Sequence, residues 1–480
     1  MSSYTVLAFD FGASSGRAIK AVFDGEGLSC SEVHRFENNP VTKDGTLYWD
    51  IENLFAEVHE GIKKAGKFDS IGFDTWGVDF GLLGEDGKLL ESPVHYRDTR
   101  TNGMINEVEK IVSNFKLYKK TGNQIMNINT LFQLMALKDK NPELLRKAKT
   151  LLFMPDLFAY ELTGKAVCEA TIASTSQMLN PKTRQWDDEI LSELKLPREL
   201  LLPVISSGTV TGMLGGAKVI AVAGHDTQCA VAALPTDESD VAFLSCGTWS
   251  LLGTELDEPI LTSHSQDLAL SNELGANGKI NYLKNIIGLW LIQESRREWR
   301  RQGSEYSYAD LEREALAVQP LRCFIDPDSP EFGVPGDIPA LVGEYCRRTG
   351  QYVPQTVGEV MRCIYESLAL KYRYAIEQLH EATGKSFKAL HILGGGTKDK
   401  LLCQMTANSC HMHVTAGPIE ATALGNIIIQ LVALGALKSI AEGRKLIAKT
   451  EKLKEYEPTE HGAWEDAFES YKKIMKQEEK

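Results

Sequence analysis

The chain has 480 residues, 65 of them acidic and 52 basic, for a net charge of −13, and 43% are hydrophobic. A chain of that length and composition buries a large core without staples, which excludes disordered, collagen-like and disulfide-scaffold classes and predicts two or three domains. The acidic balance, without a long basic run, excludes phosphate-backbone binding as the main activity, so a small-molecule site is expected and no nucleic-acid partner.

Met1 to Thr5 carries neither a basic n-region nor an apolar h-region, so no signal peptide is expected. Nine cysteines, an odd number without a C-x-x-C pair, predict a reducing, cytoplasmic setting. Val6-Leu7-Ala8-Phe9 ends at Asp10, and Gly12 to Gly16 supply a tight turn before Arg17-Ala18-Ile19-Lys20-Ala21-Val22, the pattern of a hairpin. Ser70 to Asp74 reads as a strand, and 103–120 and 141–149 read as helices. Pro235 to Asp240 breaks the apolar pattern and predicts a boundary between domains 1–238 and 239–480. Just beyond it, Val241 to Leu244 runs into Ser245-Cys246-Gly247-Thr248 and then Trp249 to Gly253, repeating the hairpin grammar about 235 residues on and suggesting two similar halves. Residues 355–384 have helical spacing, and the strand Ala389 to Leu393 empties into Gly394-Gly395-Gly396 before another helix, an α/β unit. The uncharged stretch between Glu420 and Lys438 carries Thr422, Asn426 and Gln430 as a polar stripe, which predicts a buried helix and no membrane partner.

A nucleotide enzyme needs backbone N–H groups that approach a polyphosphate closely and a carboxylate for the metal. Asp10 to Arg17 offers both, although it reads equally as a glycine hairpin with a turn-forming Asp. The second hairpin tips the balance, because two such loops, one per half, would grip the β- and γ-phosphates between them. Neither a P-loop nor a strand-linked G-x-G-x-x-G occurs. Asp-Phe-Gly at 10–12 and 79–81, with Ala18-Ile19-Lys20, imitates protein-kinase motifs in the wrong order.

Taken in order, Asp10 to Arg17, Asp69 to Phe80, Tyr96 to Gly103, Gly224-His225-Asp226-Thr227, Ser245 to Leu252, Leu283 to Leu291 and Gly417 to Ala421 resemble the FGGY family of carbohydrate kinases, within the actin-like ATPase superfamily. The resemblance implies an α/β fold of two actin-like (ribonuclease H-like) domains, with mixed sheets flanked by helices, around a central cleft. ATP and Mg2+ are expected on one side and a ketose, phosphorylated on its 1-hydroxyl, on the other. Domain 1–238 would bind the sugar and carry the first phosphate loop and the catalytic Asp, and domain 239–480 would bind adenosine. By position, Asp226 matches the family's catalytic base, His225 and Thr227 its flanking substrate contacts, and Gly77 and Asn285 further sugar positions. Ala13, Ser14, Ser15, Gly16, Arg17, Thr248, Gln293 and Gly395 match ATP contacts, and Asp10 is the expected magnesium carboxylate, through water. Thr406 stands where a cysteine would pair with Cys410, so no disulfide is expected there; the protein is expected to be a monomer or homodimer.

Several of these residues carry a second reading. Asp226 also suits the N-cap of a helix over Thr227 to Val231, His225 a buried hydrogen bond, and Trp76 either the core or a sugar platform. Gly394 to Gly396 is either a simple turn or a close approach for adenine. Cys410, His411 and His413 look like a metal cluster, but no fourth ligand is near in sequence and exposure is the simpler expectation. An actin-like ATPase without an acceptor and an inactive sugar-sensing regulator are the rival classes. A base set beside a sugar-contacting His and Thr opposes both.

Overall fold

The computed structural model describes residues 3–478. It divides into two compact units that are not continuous in sequence: Met1–Asp237 with Glu255–Leu283 and Glu420–Glu451, and Glu238–Thr254 with Lys284–Ile419 and Lys452–Lys480.

In the first unit, β1 (Tyr4–Phe11) and β2 (Ser15–Phe23) form the expected hairpin, with Asp10 opposite Arg17 and Phe11 opposite Gly16. With β3 (Leu28–Glu37), β4 (Ser70–Thr75), β5 (Thr209–Leu214) and β6 (Ala217–Ala221) they make a mixed sheet ordered β5-β6-β4-β1-β2-β3. The central strands β1 and β4 run parallel and are covered on both faces, which is why they read as continuous apolar runs. Side chains alternate across the pleat. Phe9 and Phe73 therefore point to one face, with ring centroids 5.3 Å apart, into a core shared with helices Ile51–Ala65 and Met154–Thr163.

Gly72 and Asp74 point to the other face, under helix Ala421–Ala433. Two residues of the polar stripe expected on that helix, Asn426 and Gln430, are buried and face the sheet, and Thr422 is half-buried. Gln430 Nε2 donates to the Leu7 carbonyl at 3.0 Å, its Oε1 accepts from Ser70 Oγ at 2.7 Å, and Asn426 Nδ2 donates to Asp74 Oδ2 at 2.7 Å. Gly425 lets the same helix lie against helix Asp226–Ala232, since a Cβ there would overlap the Cys229 carbonyl oxygen.

The second unit repeats the plan. Six strands of its seven-stranded sheet are β7 (Val241–Cys246), β8 (Trp249–Leu256), β9 (Ile280–Ile287), β10 (Ala389–Leu393), β11 (His413–Ala416) and β12 (Lys454–Tyr456), ordered β9-β8-β7-β10-β11-β12. A hairpin lies beside a parallel strand in both sheets, β1 beside β4 and β7 beside β10. The expected long helix spans Val357–Thr383, opened by a capping box of Thr356 and Glu359 and closed by Gly384 at φ 68°.

Two expected helices are cut differently. The 103–120 stretch is two helices, Met104–Glu109 and Asn114–Thr121, because Ser113 caps the second by accepting from the Lys116 N–H. The 141–149 stretch is helix only over Pro142–Lys147, and strand Thr150–Phe153 follows at once. Among the described residues no helix is long and apolar enough to cross a membrane.

Candidate active site

The first loop is built on the β1–β2 turn. The Gly12 N–H donates to the Ser15 carbonyl at 2.9 Å, and Asn38 holds the loop from outside, its N–H donating to the Ser14 carbonyl at 3.1 Å and its Nδ2 to the Gly12 carbonyl at 3.0 Å. Ala13 and Ser15 are half-buried and Ser14 is exposed, whereas Gly16 is buried where a Cβ would overlap the Phe36 ring. Asp10 ends the β1 apolar run. Its Oδ2 accepts from Arg17 Nη2 at 2.7 Å and Nε at 3.0 Å, and Arg17 pairs on its other side with Glu420.

Asp74 lies beside Asp10 in parallel register. It is 0% exposed, and its Oδ1 has no hydrogen-bond partner. Burial first, and the Asp10 charge second, push its carboxyl well above the usual carboxylate range.

Gly224, His225 and Asp226 are fixed at the end of β4. The Thr75 N–H donates to the Gly224 carbonyl at 2.8 Å, and Glu169 Oε2 accepts from the N–H groups of Gly224 and Thr171, each at 2.9 Å. Helix Asp226–Ala232 begins at Asp226, with His225 in the cap position and no capping bond from its side chain. Asp226 is thus the first helical residue, and the N-cap reading does not describe it. Its Oδ1 accepts from the Thr227 N–H at 2.6 Å, and the side chain is 31% exposed. Burial raises the Asp226 carboxyl to about 6, with Asp10 adding to the rise and His225 opposing it.

His225 is buried, as its second reading expects. Its Nδ1 lies 2.9 Å from Glu273 Oε2, which also accepts from Gln228 Nε2 at 2.7 Å, and Asn281 Nδ2 donates to the Gln228 Oε1. Burial disfavours the imidazolium, but the Glu273 carboxylate outweighs it and the His225 pKa is raised. Its Nε2 is 3.5 Å from Asp226 Oδ1, so a carboxylate–imidazole–carboxylate row crosses the site.

After β4 the chain enters the loop Trp76-Gly77-Val78-Asp79. Asp79 is buried and accepts from Trp49 Nε1 at 2.6 Å, Trp76 Nε1 at 3.0 Å and Gln133 Nε2 at 2.8 Å; burial raises it to about 6. Trp76 lies in the core, packed on Trp49 with ring centroids 3.9 Å apart. Val78 has φ 66°, a strained value for a β-branched residue, and it is held there by Thr175 Oγ1 on its N–H and Thr130 Oγ1 on its carbonyl. Gly77 packs on Thr175.

In the second unit, Thr248 Oγ1 donates to Gln293 Oε1 at 3.3 Å, and the Thr248 carbonyl accepts from the N–H groups of Gly288 and Trp290. Gly396 packs on Cys246 without room for a Cβ, whereas a Cβ at Gly395 would meet nothing, so Gly395 is where a flat ligand has room to approach the backbone. Asn285 sits half-buried on β9. His411 and His413 face carboxylates, at 2.7 Å from Glu465 and at 2.7 Å from both Glu455 and Glu457.

The sequence reading gave no role to Asp74, Glu169, Glu273 or Asn38. Asp74 alone had a visible signal, an apolar strand ending on Asp in the same grammar as Asp10. The others act through folding partners far away in the chain.

Residues 5–243 match the FGGY family of carbohydrate kinases, N-terminal domain, and residues 242–434 match its C-terminal domain. The chain belongs to the FGGY family of carbohydrate kinases, and its fold is α/β with two actin-like units. Its curated relatives narrow the class. It is 42% identical to a rhamnulokinase of Bacteroides thetaiotaomicron, over 98% of this chain and 99% of the relative, and 40% identical to one of Halalkalibacterium halodurans, over 94% and 98%. In fold it is similar to a gluconate kinase from Lactobacillus acidophilus (TM-score 0.77, 20% identity, 99% of this chain and 97% of that one) and a xylulose kinase from Rhodospirillum rubrum (TM-score 0.79, 13% identity, 99% of each).

Proposed function

We propose that this protein transfers the γ-phosphoryl group of ATP to the 1-hydroxyl of L-rhamnulose, giving L-rhamnulose 1-phosphate and ADP. The observation that carries the reading is the 42% identity to a rhamnulokinase over 98% of the chain. Asp226 is assigned as the general base. Oδ1 is held by the Thr227 N–H, which leaves Oδ2 to take the proton from the sugar hydroxyl as that oxygen bonds to the γ-phosphorus and the bond to ADP breaks. His225 and Thr227 hold Asp226 and contact the sugar, with Gly77 and Asn285 as further sugar contacts. The first loop and Arg17 take phosphate, and Thr248, Gln293 and Gly395 take the rest of the nucleotide.

The donor set fits magnesium. Asp10 and Asp74 are adjacent hard-oxygen ligands, and one Asp74 oxygen is buried without a partner. Asp10, backed by Asp74, would hold the ion, which supplies charge neutralisation on the phosphates.

A coupled ADP-release assay over L-rhamnulose, L-fuculose, xylulose, ribulose and glycerol tests the proposal. L-rhamnulose is expected to have the highest kcat/KM. A higher value for any other acceptor overturns the substrate, and ADP release indifferent to sugar overturns the reaction.

A further inference from the structure

Three of the nine cysteines meet at one point of the second unit, and none of them is assigned to the kinase reaction. The Sγ atoms of Cys323, Cys346 and Cys363 lie within 4.8 Å of one another, and the residues are 4%, 0% and 1% exposed. All three thiols are free.

The triangle is held in place by its supports. Cys346 is on helix Ile338–Arg348 and Cys363 on helix Val357–Thr383. Cys323 lies in an irregular segment fastened to that second helix at both ends: the Leu321 N–H donates to Glu366 Oε2 at 2.8 Å and the Ile325 N–H to Ser367 Oγ at 2.9 Å. Gln351 ties the segment to the end of the first helix, its Oε1 accepting from the Phe324 N–H and its N–H donating to the Cys346 carbonyl, each at 2.8 Å. A site whose ligands are oriented by hydrogen bonds from neighbouring elements is preorganised.

We propose that Cys323, Cys346 and Cys363 form a three-coordinate thiolate site for a soft monovalent cation, Cu(I). With every side at or below 4.8 Å, the centre of the triangle is at most about 2.8 Å from each corner, against about 2.3 Å for a metal–thiolate bond. Each sulfur therefore has to move inward by no more than about half an ångström. An all-sulfur donor set selects soft ions such as Cu(I), and zinc wants a fourth ligand. No His or carboxylate completes the group among the described residues. Each sulfur–copper bond replaces an S–H bond and sends one proton to solvent; copper enters and stays as Cu(I), so no electron moves.

The test is an anaerobic titration of the fully reduced full chain with Cu(I) in competition with bicinchoninate, followed by X-ray absorption at the copper edge. The wild type is expected to withhold one equivalent, coordinated by three sulfurs. Cys30→Ser, which removes the one exposed cysteine, is expected to behave the same, and Cys346→Ser to bind at least a hundredfold more weakly. Failure to withhold copper, a sulfur count below three, or full retention by Cys346→Ser would each overturn the proposal. So would mass spectrometry showing that two of these cysteines form a disulfide in place of binding copper. Should Cys346→Ser fail to fold, the sulfur count in the wild type decides.

Discussion

At the scale of single residues, Asp226 makes opposite demands on activity and stability. A base must be ionised, and burial raises this carboxyl to about 6. The kcat/KM for phosphoryl transfer is therefore expected to fall tenfold per pH unit below about 6, read from a pH–rate profile. Asp226→Asn removes the proposed base and is expected to lower turnover by about 10²–10⁴. Its effect on stability has the opposite sign. A carboxyl whose folded pKa lies above its unfolded value weakens the fold when ionised, so wild-type stability contributed by this group falls as pH rises through about 6. Asp226→Asn should thus melt slightly above wild type at pH 8, with the advantage vanishing near pH 4, by calorimetry.

Glu273→Gln probes the row behind it. Without the carboxylate, His225 loses the charge that raises its pKa, and Asp226 loses the imidazolium that holds it down. The acid limb of kcat/KM is expected to move up by about half a unit or more; an unmoved limb would show that Glu273 does not act through His225. Asp10, Arg17 and Asp226 are legible in the sequence because their chemistry sits at the ends of local patterns. Glu273 is not, because it reaches His225 from 48 positions away in the chain and nothing near it in sequence marks the contact.

At the scale of elements, the close contact of helices Ala421–Ala433 and Asp226–Ala232 sets where Asp226 stands. Gly425→Ala would drive a methyl group into the Cys229 carbonyl, and backbone cannot yield as a side-chain tip can. A loss of about 2–4 kcal/mol in urea unfolding is expected, together with lower turnover as the helix carrying Asp226 shifts. Gly216→Ala, where the added methyl meets nothing, is the control and should change stability by less than about 0.5 kcal/mol. The polar stripe of this helix was readable from the four-residue spacing of Thr422, Asn426 and Gln430. What it faces was not, since period alone does not tell buried acceptors from water. The 103–120 stretch misled for a similar reason: Ser113 restarts the helix with one capping bond, and spacing does not register a cap.

At the scale of the whole molecule, the chain passes between its units at Asp237, Thr254, Leu283, Ile419 and Glu451. The first of these crossings falls within the apolar break near Pro235 to Asp240. The later returns were invisible, because Glu255–Leu283 and Glu420–Glu451 carry no composition shift at their ends. A fragment ending at residue 238 would lack the helix that satisfies Leu7, Ser70 and Asp74. It is expected to show no cooperative melting by circular dichroism, and a sharp transition would refute this dependence. The same wiring governs how the protein is born. Ala433 leaves the ribosome 196 residues after Asp237, which at 5–20 residues per second is a delay of about 10–40 s. Throughout that interval the nascent first unit carries a sheet with one face uncovered, long enough for a chaperone to bind and release it many times. A stretch made late, helix Ala421–Ala433, is therefore the one that commits the first stretch to its native form.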